Sequence, residues 1–277
     1  MNKQTMMNMI PDIENALLGI HCQPIELTKD GENLFGLTAM YGNVNPTMYF
    51  NELPDDISPV TIAQRFDNAI NCFHFDENLM TSKDYILNHV MYGLVMADFR
   101  DELNDRGIYT EDYYGMVKYY HVIVGEDDDT RASFKITSKF LDSVGITISE
   151  LNNHADENMH ADMYLETITN VISSLMPTYT DVPDCNVYVL TNTSKVKGAS
   201  MICSLPILKE ISYENKTDFF IIPSSIHEVL IVPNVGGDDQ AAKLREMVEI
   251  VNDTTVEYKE RLSYDVFYFD GSKLMIA

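Results

Sequence analysis

The sequence predicts an α+β protein in which mixed, mostly antiparallel sheets are covered by helices and arranged in two lobes. Short β-prone runs recur at hairpin spacing, and the first two flank Asp30-Gly31, a strong hairpin signal. Apolar residues at helical spacing follow Ser58-Pro59. With 277 residues, 45% of them hydrophobic, the chain can bury a sizeable core. Together these observations indicate a globular chain built of sheets with helices packed on them.

The first lobe begins with a predicted meander of three strands. Residues 24–28 and 34–40 form the hairpin, and residues 46–53 add a third strand. Ser58 suits the N-cap of the following helix, and Pro59 suits its first position. This helix is expected to cover the sheet.

A second hairpin is predicted from KYYHVIV (118–124) and RASFKIT (131–137). The segment that joins these strands carries four adjacent carboxylates, Glu126, Asp127, Asp128 and Asp129. Two interpretations stay open: a solvated tip that adds solubility, or a partner-binding finger aimed at a basic groove. Further along, Thr147 and Glu150 have the spacing of a capping box, which predicts the start of a helix.

Residues 177–184 contain two prolines and no apolar period, which is typical of a linker. The chain is therefore expected to divide into an acidic α+β lobe at 1–176 and a second α+β lobe at 185–277.

An internal repeat is suggested because residues 131–144 align without gaps on residues 198–211. The alignment predicts duplicated modules, each a hairpin followed by a helix. It makes residues 197–204 a strand that leads into a helix beginning at Leu205.

The stretch IIPSSIHEVLIVP (221–233) is predicted to be a turn between two apolar strands. Ser225 and His227 raise the alternative of a nucleophile and its base. In a strand, however, His227 and Glu228 point to opposite faces, so the glutamate would not orient the imidazole. The G-x-S-x-G motif is also missing. We therefore expect the serine hydroxyl to bond the turn backbone.

HADENMHAD (154–162) is the other candidate site. A spacing of three residues places His154 with Glu157, and Glu157 with His160, on one helical face, whereas His154 and His160 diverge. The stretch lacks the H-E-x-x-H motif, so a solvated helix is the expected structure. Metal binding by these three residues is the alternative, and otherwise no metal or cofactor is expected.

Near the end of the chain, Gly236-Gly237 precede a predicted helix at 239–251 that Asp238 and Asp239 cap. Its expected sheet-facing stripe consists of Leu244, Met247, Val248 and Val251. Asp270-Gly271 predicts a closing hairpin.

The net charge excludes several classes of partner. The chain has 43 acidic and 19 basic side chains, a formal net charge of -24. Residues 1–179 carry 28 acidic and 10 basic side chains, so most of the excess lies in the first lobe. Such a surface repels phosphate backbones and anionic membranes. Direct binding of nucleic acid or membrane is therefore not expected, whereas a protein with a basic surface is the expected partner.

The cysteines indicate a reducing compartment. Cys22, Cys72, Cys185 and Cys203 are scattered, without the spacing of a disulfide framework or a zinc site. No apolar run approaches the roughly 20 residues of a membrane span, and no signal peptide is recognised. A cytoplasmic location is expected.

Four motifs, NPTMYFNEL, YVLTN, PSSIHEVLIVP and LSYDVFYFD, resemble an uncharacterised bacterial domain-of-unknown-function family of gut Firmicutes and their mobile elements. The family has no established activity, so the resemblance implies no catalytic residues. It implies a bacterial or phage cytosolic setting and favours interaction with defence or nucleic-acid machinery.

The leading functional hypothesis is a non-enzymatic acidic binding protein. Its narrower form is a phage or mobile-element counter-defence inhibitor that mimics nucleic acid and occupies a basic groove. The alternative is a small hydrolase or nucleotide-processing enzyme that uses Ser225 and His227, or a metal held within residues 154–162. A concave pocket with converging polar groups would favour the enzyme.

Overall fold

The chain is α+β, as predicted. The computed structural model describes residues 3–29, 32–41, 45–51, 53–54, 56–72, 81–126, 131–175, 186–237 and 239–277. These residues fall into two compact units, Met1–Met80 and Thr81–Ala277. All strand pairs between the described strands are antiparallel.

The first unit is a three-stranded sheet with two helices. The strands, in sheet order, are β1 (Cys22–Lys29), β2 (Glu32–Ala39) and β3 (Thr47–Tyr49), and the helices are α1 (Lys3–Ala16) and α2 (Pro59–Cys72). The last pair of the β1–β2 ladder is Lys29 with Glu32, so the two strands form the hairpin that the sequence predicted, although Asp30 and Gly31 themselves lie outside the described residues. The predicted meander is therefore confirmed.

Helix α2 begins where the sequence predicted. Ser58 Oγ accepts a hydrogen bond of 3.1 Å from the backbone N–H of Thr61, and Pro59 is the first helical residue. Buried side chains from both helices and the sheet form one core: Met6, Ile13, Leu17, Cys22, Leu37, Ala39, Phe50, Ile62, Ala63 and Phe66.

The second unit contains two sheets. The four-stranded sheet consists of β4 (Val90–Val95), β5 (Thr110–Tyr113), β6 (Met116–Glu126) and β7 (Arg131–Lys135), with β6 paired to the other three. The six-stranded sheet consists of β8 (Met163–Thr167), β9 (Tyr188–Asn192), β10 (Phe219–Pro223), β11 (Val229–Pro233), β12 (Phe267–Phe269) and β13 (Leu274–Ile276), in the order β13-β12-β10-β11-β9-β8.

Seven described α-helices accompany these sheets: α3 (Lys83–His89), α4 (Arg100–Asp105), α5 (Ser138–Val144), α6 (Ile148–Ala161), α7 (Ile168–Leu175), α8 (Leu205–Asn215) and α9 (Gln240–Thr254). The largest core cluster contains residues from both sheets, for example Tyr120 and Val122 of the first sheet and Phe219 and Phe267 of the second.

The compact units divide the chain differently from the predicted lobes, 1–176 and 185–277. The predicted linker at 177–184 lies outside the described residues. Core residues that precede this segment in the sequence, such as Val122, and core residues that follow it, such as Phe219, belong to one cluster.

The predicted strand at 197–204 is wrong, because Gly198–Cys203 form a 3-10 helix. Lys197 has a φ of 58°, which turns the chain out of the extended conformation. At Gly198 a Cβ atom would lie 2.2 Å from Thr191 Oγ1, so only glycine allows this close approach to β9. Helix α8 follows from Leu205 as predicted, but the aligned segments do not share the same structure.

The C-terminal elements agree with the sequence except for the cap and the buried face of α9. Asp239 is the N-cap residue, but its side chain makes no capping hydrogen bond, and Asp238 lies outside the described residues. Strands β10 and β11 pair with each other, and Asp270 Oδ1 accepts the backbone N–H groups of Ser272 and Lys273 in the closing turn. On α9 the buried residues are Leu244, Val248 and Asn252. Met247 and Val251, predicted to face the sheet, are 52% and 37% exposed. The three buried residues are four positions apart, so they lie along one side of the helix, and this side does not include Met247 or Val251.

The capping box at the start of α6 is confirmed. Thr147 Oγ1 accepts the Glu150 N–H at 3.2 Å, and Glu150 Oε2 accepts the Thr147 N–H at 2.9 Å. Glu150 also pairs with Lys83 of α3 at 2.7 Å. These hydrogen bonds, led by the one from Lys83, lower the pKa of Glu150 to about 2.

This lowered pKa predicts a loss of stability in acid. A carboxyl group whose pKa is depressed on folding stabilises the native state above its ordinary pKa, and the contribution disappears as pH falls from about 4.5 towards about 2. Glu150→Gln keeps the shape of the side chain and removes the charge. We expect it to lower the melting temperature at pH 6 and to have little effect near pH 2.5. An equal effect at both pH values would contradict this origin of the pKa.

Candidate functional site

The predicted acidic finger follows β6. Asp127, Asp128 and Asp129 lie outside the described residues, and for Glu126 only the backbone is described, at the end of the strand. Its role as a partner-binding segment stays a prediction.

Ser225 and His227 form a hydrogen-bonded turn between β10 and β11. Ser225 Oγ accepts the backbone N–H of His227 at 2.9 Å and donates to Glu228 Oε1 at 3.0 Å. His227 Nδ1 accepts the backbone N–H of Lys197 at 3.2 Å, and its Nε2 lies 3.8 Å from Glu260 Oε1. The serine hydroxyl bonds the turn as predicted. The imidazole is directed to other partners, which is not the geometry of a nucleophile and its base.

The three candidate metal ligands lie on α6 but do not converge. His154 Nδ1 is 4.0 Å from Glu157 Oε2, whereas His160 Nε2 pairs with Glu210 of α8 at 2.5 Å. In the part of the chain that the structure describes, no three His, Cys, Asp or Glu side chains are grouped so that they could hold a metal ion.

A buried polar cluster in the second unit was not predicted, and Lys118 lies at its centre. Alternation along β6 directs Lys118 and Tyr120 to the inner face of the four-stranded sheet. Lys118 is only 9% exposed, and it is the one charged residue among the described residues that is buried. An ammonium group at such a position requires a partner.

Glu111 supplies that partner from the neighbouring strand. It lies directly opposite Lys118 in the β5–β6 ladder, and the distance from Lys118 Nζ to Glu111 Oε2 is 2.6 Å. Glu111 Oε1 also lies within hydrogen-bond distance of the hydroxyls of Tyr109 and Tyr120, at 3.2 and 3.3 Å. The ammonium group stands 5.0 and 5.3 Å from the ring centres of Tyr92 and Tyr120, within the range of cation–π attraction.

Helix α6 closes the cluster with Asn152 and Asp156. Asn152 Oδ1 accepts the hydroxyl of Tyr120 at 2.7 Å. The Tyr92 hydroxyl has three acceptors within 3.2 Å, namely the backbone oxygen and Oδ1 of Asn152 and Oδ1 of Asp156. Because one hydroxyl carries one proton, acceptors outnumber donors here. Burial raises the pKa of Asp156, although the hydrogen bond from the Tyr92 hydroxyl opposes this rise.

The tyrosine hydroxyls and the thiol near the cluster keep their protons. Burial raises the pKa values of Tyr92 and Tyr120. The negative charge of Asp156 raises the pKa of Tyr92 further, and that of Glu111 raises the pKa of Tyr120 further. Burial also raises the pKa of the Cys203 thiol, although Lys118 opposes it. A thiol of this kind is a poor nucleophile. The cluster therefore stabilises the packing of α6 on the sheet and has no activated nucleophile.

A small cavity lies beside Tyr92. It has a volume of about 210 Å³ and is lined in part by His121, Ser133, Lys197 and Ser200. Its polar groups come from β4, β6, β7, β9 and the segment after β9, so no local motif in the sequence indicated it. The signal for the buried cluster was Lys118 itself, which interrupts the apolar inner face of a strand.

The turn geometry predicts a structural role for Ser225. Ser225→Ala removes the hydroxyl that bonds His227 and Glu228 and should lower the free energy of unfolding by about 1 kcal/mol. Ser224→Ala is the matched control, because Ser224 takes no part in these bonds, and it should be nearly neutral. Urea unfolding measures both. An unchanged stability for Ser225→Ala would contradict the role.

The Lys118–Glu111 pair predicts strong coupling between the two residues. Lys118→Met or Glu111→Gln alone leaves an uncompensated charge or polar group and should cost ~2–3 kcal/mol, below the value for a fully buried pair because Glu111 is partly exposed. The double variant should cost clearly less than the sum of the two, as a double-mutant cycle by urea unfolding would show. Additive costs would mean that the pair contributes nothing.

No helix in the described part of the chain is both long and apolar enough to cross a membrane. Comparisons with curated proteins and with solved structures give no significant match. A family model described as "Family of unknown function (DUF5688)" matches residues 20–271. The motif resemblance to an uncharacterised family is therefore confirmed. Because this match covers most of the chain, the protein belongs to the DUF5688 family.

Proposed function

We propose that this protein is a non-enzymatic binding protein whose acidic surface recognises a partner with a basic surface. The observation that carries the proposal is the excess of carboxylates over basic groups. Even if each of the 19 Lys and Arg side chains neutralised one carboxylate, 24 of the 43 would keep their charge uncompensated.

The location of these carboxylates supports the proposal. None of the described Asp and Glu residues is buried, whereas a buried charge is found at Lys118. The excess negative charge is therefore at or near the surface. It is present in both units, because Met1–Met80 carry 11 acidic and 3 basic side chains and Thr81–Ala277 carry 32 and 16. A field of this sign attracts a basic partner and speeds its association.

The narrower form of the proposal is mimicry of nucleic acid. Carboxylates would take the place of phosphates in the basic groove of a nucleic-acid-binding protein, and a phage or mobile element would use the protein as a counter-defence inhibitor. We place this activity in the cytoplasm. The free thiols of Cys22 and Cys203 are consistent with a reducing compartment.

The predicted acidic finger, residues 126–129, which is called the tip below, allows the most direct test of the proposal. The partner is first isolated by pull-down from a bacterial lysate at low salt, with high salt as the comparison. Association rates of the wild type and of a variant with amides at residues 126–129 are then measured over a salt series. The variant should associate more slowly at low salt, and the two proteins should converge as salt rises, because the Debye length falls to about 8 Å near physiological ionic strength.

A second quadruple variant separates the tip from total charge. Four exposed carboxylates elsewhere, Glu214, Asp239, Glu246 and Glu249, are replaced by amides to give the same net charge. If the tip docks, this variant should slow association less than the tip variant does. An acidic partner, or rates that respond neither to salt nor to the tip substitutions, would contradict the proposal.

A further inference from the structure

Helix α9 has apolar side chains on two faces. Leu244 and Val248 lie on its buried face. Met247, Ile250 and Val251 are 52%, 56% and 37% exposed. Their spacing of three and four residues places these three on one side of the helix, and they are called the apolar stripe below. A helix that only covers a sheet needs one apolar face, so the apolar stripe is a second face that remains exposed to solvent.

An acidic row borders the apolar stripe. It consists of Glu246, Glu249 and Asp253, all of them exposed. Glu246 precedes Ile250 by four residues, so these two side chains are neighbours on the helix surface. From Glu246 to Glu257 the chain has four carboxylates and no basic residue. The exposed apolar side chains therefore lie in a negatively charged stretch.

The placement of the acidic row does not favour the helix itself. Glu249 follows Glu246 by three residues and Asp253 follows Glu249 by four, so like charges repel each other along one side. Asp253 also lies in the last turn, where the helix dipole disfavours negative charge. Arg261 compensates part of this charge, because its Nη1 lies 3.8 Å from Asp253 Oδ1. A further positive group beside the row would relieve the remaining repulsion.

We propose that the apolar stripe and the acidic row form a docking face for an amphipathic helix of the partner, whose own apolar stripe is bordered by Lys or Arg. The inference rests on the proposed function for the basic character of the partner, and it adds where the partner binds and in which form. Apolar side chains at helical spacing pack into the grooves of a second helix. The basic residues of α9, Lys243 and Arg245, precede the stripe, which confines the contact to the second half of the helix.

Other occupants fit this face less well. An extended segment needs free backbone N–H and C=O groups, whereas the backbone in the middle of a helix is already hydrogen-bonded within the helix. A second copy of this chain, related by a two-fold axis, would bring one acidic row against another. Anionic lipids are repelled by the same carboxylates. A basic amphipathic helix is the occupant whose apolar contact and charge both match.

Binding of synthetic peptides to the full chain tests the inference. The probe is a fluorescein-labelled amphipathic helix of leucine and lysine, followed by anisotropy. One control peptide has serine in place of leucine, and the other has glutamate in place of lysine. We expect saturable binding of the Leu/Lys peptide, about ten-fold weaker binding of the Ser/Lys peptide and no binding of the Leu/Glu peptide. Absence of saturable binding, or equal affinity for the Leu/Lys peptide and either control, would overturn the inference.

Substitutions at matched positions show whether the peptide lies on α9. Ile250→Gln should weaken binding of the Leu/Lys peptide about ten-fold, because the exposed part of this side chain loses its apolar contact. Val60→Gln is the matched control, since Val60 is a β-branched residue on α2 that is 57% exposed, and this variant should bind as the wild type does. Equal effects of the two substitutions would contradict docking on α9.

The acidic row is tested with two pairs of substitutions that change the net charge equally. Glu246→Gln combined with Glu249→Gln should weaken peptide binding at low salt. Asp101→Asn combined with Asp105→Asn is the control, because these are two exposed carboxylates one turn apart on α4, and it should have a smaller effect. The glutamate pair provides the test if Ile250→Gln fails to fold. Equal weakening by both pairs would mean that only total charge matters and would overturn the inference.

The partner isolated by pull-down separates this inference from the proposed function. Apolar contacts form after the charges have steered the encounter, so Ile250→Gln should mainly speed dissociation, whereas the tip variant slows association. The variant with amides at Glu214, Asp239, Glu246 and Glu249 should also dissociate faster than the wild type. If Ile250→Gln binds the partner as the wild type does while association still responds to salt and to the tip substitutions, the docking face is wrong and the proposed function stands.

Discussion

The ammonium group of Lys118, buried between a sheet and a helix, constrains the largest core of this protein. Its charge must be balanced by protein groups, because a side chain that is only 9% exposed has little contact with solvent. Glu111 balances it from the adjacent strand, and the register of β5 on β6 is therefore tied to this pair. Asn152 and Asp156 then fix where α6 packs on the sheet, since their oxygens are needed by Tyr92 and Tyr120. A polar network of this kind allows few alternative packings.

Charge is distributed in opposite ways inside and outside the molecule. The described interior holds a lysine, and the described carboxylates lie at least partly in solvent. Mutual repulsion among so many surface carboxylates opposes compaction, and the cores of the two units must offset it. An acidic surface that lowers stability is consistent with selection for binding or solubility.

The acidic side chains and the cavity are separate features of the chain. Each unit has an excess of acidic side chains, whereas the cavity is a small site in the second unit built mainly from β4, β6, β7, β9 and the residues after β9. Ser225 and His227 were the candidate nucleophile and base of a hydrolase. Their link to the cavity is indirect, because His227 Nδ1 accepts the backbone N–H of Lys197, one of the lining residues. Their position shows how a turn with catalytic residue types can instead support a neighbouring loop.

The sequence by itself determined the features that depend on local interactions. The Asp-Gly hairpins, the caps at Ser58 and Thr147 and the α+β class follow from a few neighbouring residues, and the net charge needs no structure at all. Only the tertiary structure decided the 3-10 helix at Gly198–Cys203, the buried face of α9 and the compact units. It also brought Lys118 together with Asn152, and His121 with Lys197. These meetings depend on how sheets and helices pack, and residues far apart in sequence carry no local signal of that packing.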